Sequence, residues 1–149
     1  MLPVHMHCRK FSMDMQYRYS ADVDALRVYF TKASPATISN TEPIHPGLLV
    51  DYNSNDQVVA VEVSSASKRL PCHFLATEAV IEGRSPLAIS PEYNPEVDEL
   101  AVSFTAFTCL PERRDSTLDE RIVVGASGGH VWQALYFKEA SESVCRPIS

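Results

Sequence analysis

The chain has 149 residues, a formal net charge of −6 at pH 7, 45% hydrophobic residues and 21% charged residues. That length holds one or two small domains with a real core, and the composition excludes a disordered or collagen-like chain. No apolar run approaches the ~20 residues of a spanning helix, and 13 basic against 19 acidic residues leave no basic stripe for phosphates, so membrane and nucleic acid are excluded as partners.

Residues 1–13 read as a leader or tail ahead of the folded part. All four methionines, Met1, Met6, Met13 and Met15, fall in the first fifteen residues, together with His5, His7 and Cys8. That trio suits a soft metal, but an unanchored tail is the simpler reading. No acid precedes Asp14, a trait of mitochondrial presequences, yet only two strong bases accompany it. The segment lacks the apolar core of a secretory signal, so a cytoplasmic location is expected. Cys8, Cys72, Cys109 and Cys145 are too scattered for a zinc site.

The next residues contain a repeat. Tyr19, Val23, Asp24, Leu26, Val28, Phe30 and Thr31 recur 74 positions later as Tyr93, Val97, Asp98, Leu100, Val102, Phe104 and Thr105. The shift continues without a gap through Val50 and Val124, Ala60 and Ala134, and Ala66-Ser67 and Ala140-Ser141. Eleven of the 49 positions from 19 to 67 are identical. A tandem duplication is the expectation, with copy one at 14–70, a linker at 71–85 and copy two at 86–149.

Within each copy the apolar period is two, the mark of a half-buried strand. Strands are predicted over 26–30, 47–52 and 57–63, then over 100–104, 121–126 and 131–137. Weaker ones are predicted at 14–19, 36–42, 86–90 and 110–116. Asn53-Ser54-Asn55-Asp56 and Ser127-Gly128-Gly129-His130 supply hairpin turns. The best helix candidate lies in the linker, over 74–81. Each copy alone has one apolar face and nothing to pack it on. The predicted fold is therefore mainly β: two repeated antiparallel β-meander units packed as a pseudo-twofold β-sandwich or flattened barrel. A homodimer would do the same job for an unduplicated relative.

Tyr19, Asp24-Ala25-Leu26, Val28, Val50-Asp51-Tyr52, Val61-Glu62-Val63 and Ala66-Ser67 resemble the pattern of a small bacterial family, domain of unknown function 2283. The resemblance covers nearly all of copy one, and copy two keeps its skeleton. Where the family pattern has glycines, this chain has Asp56 and Ala60. The resemblance implies a small β fold and no particular reaction.

Candidate sites are few. The 51–62 hairpin nearly fits a calcium loop, with oxygen side chains at positions 1, 3, 5 and 12. Its flanks read as strands, however, and an Asx-stabilised turn accounts for the same residues. Asp24 and Asp98, kept in both copies, read as turn acids. Asp51 and Glu62 share a sheet face, at a spacing too wide to act on one proton directly, and stand with His130 as candidates for acid–base work. The hairpin strand after His130 carries Trp132 and Tyr136 at the same parity, an aromatic wall suited to an apolar ligand; Tyr52 and His73 are added as binding candidates, and His45 lies in a nearby loop. No phosphate loop, nucleophile elbow or metal motif accompanies them, and no cofactor is expected. The function expected is a small soluble β module that binds an apolar small molecule or a protein partner between its copies. Two alternatives stand beside it: a cofactor-independent isomerase, cyclase or lyase in the same space, and an adaptor that pairs through a sheet edge.

Overall fold

The computed structural model describes residues 15–30, 37–106 and 110–145. The His5, His7 and Cys8 expectation lies outside them, as does Cys109. The alternating segments form strands. Copy one holds β1 (Gln16–Ser20), β2 (Ala25–Tyr29), β3 (Asn40–His45), β4 (Leu48–Tyr52) and β5 (Val58–Ser64), then a single helical turn, α1 (Ala66–Arg69). A short parallel pair follows, β6 (Cys72–His73) with β7 (Ser85–Pro86). Copy two holds β8 (Ser90–Asn94), β9 (Glu99–Ser103), β10 (Arg113–Ser116), β11 (Ile122–Ser127), β12 (Val131–Lys138) and α2 (Ala140–Ser143).

Two five-stranded antiparallel sheets result, in the orders β1-β2-β5-β4-β3 and β8-β9-β12-β11-β10. The order is the same in both. β3–β4–β5 is a meander, and the β1–β2 hairpin joins it by pairing β2 with β5. The sheets pack face to face as a sandwich, and neither closes into a barrel. Leu26, Val28, Val50 and Val61 from the first sheet share one buried cluster with Leu100, Val102, Val124, Leu135 and Phe137 from the second. The rings of Phe30 and Phe137 meet edge to face at 5.0 Å across the interface. Backbone bonds also tie the halves, Leu118 N–H to the Ile44 carbonyl and Cys145 N–H to the Val58 carbonyl, both 2.8 Å.

The 74-residue shift reaches the irregular backbone. Asp24 and Asp98 both have positive φ, 50° and 52°, as do Ser65 and Glu139, each at 51°. Both sheets also carry a bulge at the same place. Asp51 faces Ala60 but Tyr52 faces Val58, which leaves Val59 as the extra residue. Gly125 faces Ala134 but Ala126 faces Trp132, which leaves Gln133. A bulge resets which face the following side chains use.

Two local expectations are corrected. Residues 74–81 form no helix. His73 organises them as a loop instead: its Nδ1 accepts from Leu75 N–H at 3.2 Å, and its Nε2 lies 2.7 Å from the Ala79 carbonyl. The outer strands sit a few residues later than expected, at 40–45 and 90–94. Edge strands have few same-face neighbours, so alternation marks their limits weakly. Among the described residues no helix is long and apolar enough to cross a membrane.

Candidate functional site

The Pro46-Gly47 turn joins β3 to β4. Gly47 has φ 86°, the backbone a type II turn requires after proline. A bulge at Pro43–His45 precedes it and turns Ile44 inward, where it is buried. In the second half the residues 74 later, Leu118 to Arg121, connect β10 to β11. Ile44 and Leu118 are thus counterparts, and their backbones meet on the approximate twofold. One cleft opens on each side of that contact.

The first cleft, about 520 Å³, is polar and acidic, lined by Glu42, Tyr52, Asp56, Asp119, Glu120 and Arg121 among others. Tyr52 donates its hydroxyl to Asp119 Oδ2 across the halves at 2.7 Å. Arg121 grips both oxygens of the same carboxylate, at 3.1 and 3.0 Å, and donates to the Asp56 carbonyl at 3.1 Å. Burial opposes the Asp119 charge, but the hydrogen bonds from Arg121 and Tyr52 outweigh it and hold the carboxyl below its usual value. Burial and the Asp119 charge together push the Tyr52 hydroxyl well above the ordinary tyrosine range. Tyr52, Asp119 and Arg121 answer one another, so this cluster acts as a staple between the halves.

The second cleft, about 560 Å³, is its counterpart, lined by Pro43, Ile44, His45, Gly47, Thr117 and Leu118 among others. Among the described residues no carboxylate lines it. Where the first cleft has Asp119 and Arg121, the second has His45 and Gly47. Behind His45 stands Trp132, 4% exposed, the two rings edge to face at 5.8 Å. Leu118 at the rim is 84% exposed.

The structure redistributes the residues expected to form one site. Trp132 and Tyr136 do not share a face. The bulge at Gln133 turns Trp132 into the core between the sheets, while Tyr136 packs on the outer face with Val123 and Ala134. There the Tyr136 ring closes over Gly125, whose missing side chain makes room: a Cβ would sit 2.6 Å from the ring. The Arg114 guanidinium covers the ring at 3.8 Å and pairs with Glu99 at 3.0 Å. Tyr52 faces the first cleft, and His73 is committed to the 74–79 loop. His130 is exposed in the β11–β12 turn.

Asp51 and Glu62 do come together, on the outer face of the first sheet, through Arg27. Arg27 pairs with Asp51 and, at 3.3 Å, with Glu62; Thr41 donates to Asp51 at 2.5 Å. Nothing in the sequence around Arg27 singles it out, although cross-strand pairing of β2 with β5 puts it opposite Glu62. The 53–57 hairpin is an Asx turn, in which the Asn53 side chain accepts from Asn55 and Gln57 N–H at 2.9 and 3.0 Å, and Asp56 takes φ 58° where the family pattern has glycine. His45, Leu118, Asp119 and Arg121 gain their role from proximity across the twofold. Alignment of 44–47 with 118–121 is the signal that pairs them.

Residues 16–67 match the model of a family described as "Protein of unknown function (DUF2283)". The match begins with β1 and ends inside α1, so it spans the first sheet. No curated protein and no solved structure matches the chain.

Proposed function

We propose that this protein is a small-molecule binding module whose site is the carboxylate-free cleft between its halves. One observation carries the reading. Of two clefts related by the repeat, one is closed chemically by its own Tyr52–Asp119–Arg121 staple, whereas the other presents Pro43, Ile44, His45 and Leu118 around a concavity of about 560 Å³. That size suits a drug-sized apolar ligand, and apolar walls with few polar groups are what such sites use. The exposed Leu118 side chain then has a partner to cover it.

The two halves arise, in this reading, by tandem duplication. Duplication lets one copy of a symmetric feature stabilise the interface while the other diverges into a site. The test is a titration with benzyl alcohol followed by backbone NMR. Amide shifts are expected to concentrate at 44–47 and 116–118 and at the Trp132 indole, and Leu118→Asp is expected to suppress them. Shifts scattered over the surface, or none, would remove the site from this cleft.

A further inference from the structure

Arg69 packs on Gly47, a residue that lines the same cleft, and among the described residues it has no acid partner. It closes α1, and its Nε donates to the Ser64 carbonyl at 2.9 Å. Its guanidinium lies 5.4 Å from the centre of the Trp132 ring, on which His45 also packs. It is pressed against Gly47, which lines the cleft: a Cβ at Gly47 would run into Arg69 Nε and Cζ and come within 2.9 Å of a terminal nitrogen. Arg69 is half-buried. Among the described residues, Arg27, Arg113, Arg114 and Arg121 each pair with a carboxylate, and Arg69 pairs with none. In the second half Ser143 occupies the corresponding position and serves the corresponding carbonyl, Lys138, at 2.8 Å. The carbonyl bond therefore does not require a guanidinium.

A half-buried cation with no counterion among the described residues, next to an apolar cleft, is matched by a ligand that brings the anion. We infer that the cleft takes an apolar carboxylic acid as its anion, with the hydrocarbon or aromatic body against Pro43, Ile44 and Leu118 and the carboxylate on the terminal nitrogens of Arg69, beside His45. The inference rests on the binding site proposed above and names the ligand class. The absence of acids from the lining agrees with it, because on a chain of net charge −6 an anion is disfavoured elsewhere by repulsion.

The experiment compares benzoate with benzyl alcohol, and hexanoate with hexanol, by the same NMR titration. In the wild-type protein each carboxylate should bind at least about tenfold more tightly than its alcohol. Raising the salt from 50 to 500 mM should weaken only the carboxylates, since exposed charge pairs are screened. In Arg69→Gln the preference should vanish, each carboxylate binding no more tightly than its alcohol. The salt comparison needs no variant, so it stands even if Arg69→Gln folds poorly. Equal binding of acid and alcohol, with no salt dependence, overturns the carboxylate inference and leaves the cleft as an apolar site. Shifts at 44–47 and 116–118 from neither series overturn both.

Discussion

Asp24 shows how one side chain can join distant parts of a small sheet. Its carboxylate accepts from the Tyr19 hydroxyl at 2.6 Å, from Ser67 N–H at 3.0 Å and from the Ser67 hydroxyl at 2.7 Å. It thereby caps the first turn of α1 from 43 residues away, where Ser65 makes no side-chain cap of its own. Asp98 repeats every bond with Tyr93 and Ser141. Both acids stand in turns, as expected, and their carboxylates reach out of those turns to cap a remote helix. Burial opposes the Asp24 charge, but the bonds from Tyr19 and Ser67 prevail and lower its pKa. Burial, reinforced by Asp24, pushes the Tyr19 hydroxyl up to about 12. A carboxyl whose folded pKa is lowered stabilises the native state above its unfolded value of 3.8, and that contribution is lost as pH falls through the folded value. Asparagine tolerates the positive φ at this position, so Asp24→Asn removes the charge and one acceptor oxygen without straining the backbone. Urea unfolding at pH 7 should show a loss of about 1–3 kcal/mol. The gap between variant and wild type should narrow steadily below pH 4.

At the scale of elements, the paired bulges decide what each hairpin presents. Strict alternation along 131–137 puts Trp132 and Tyr136 side by side. The extra residue Gln133 inverts that relation, sending the tryptophan into the core and leaving the tyrosine outside. Val59 does the same in β5, so Val58 and Val61 share the core despite their odd spacing. Gln133 is the residue that β11 leaves unpaired, so deleting it closes the bulge with Gly125 still opposite Ala134 and Ala126 still opposite Trp132. Strict alternation then keeps Trp132 on the core face and Tyr136 outside. Trp132 is the sole tryptophan, so its emission maximum reports the outcome directly. The deletion variant is expected to keep the emission near wild type; a red shift toward the solvent-exposed value would show that the bulge does not set the face.

For the whole molecule, neither sheet can stand alone. The inner faces of both are apolar, and their largest buried side chains, Phe104, Phe137, Leu26 and Leu100 among them, come from both halves. Phe137 belongs to β12 and packs on Phe30 beside β2. The two sheets should consequently unfold together. Phe137→Ala should cost about 3–5 kcal/mol and still give one transition. Amide signals of residues 122–127, which read the second half, and of residues 25–29, which read the first, should move at the same urea concentration. Separate midpoints would mean that the halves are independent domains. The packed centre also explains where binding space is left: the sheets fill the interior, so the two related clefts open at the rim, where Pro43, Ile44 and Leu118 meet.

Strand positions, hairpin turns, the 74-residue repeat and the sandwich follow from the sequence because they rest on local periods and on the need of each apolar face for a cover. The same alternation failed at Trp132, since a bulge is set by pairing with β11 rather than by anything in the strand's own residues. The identity of Arg27 as the bridge between Asp51 and Glu62, the staple formed by Tyr52, Asp119 and Arg121, and the cleft at His45 were decided by tertiary structure alone. Each brings together residues far apart in the chain. Only the crossing of strands and the approximate twofold place them within hydrogen-bonding or van der Waals reach, and no period along one segment encodes that distance.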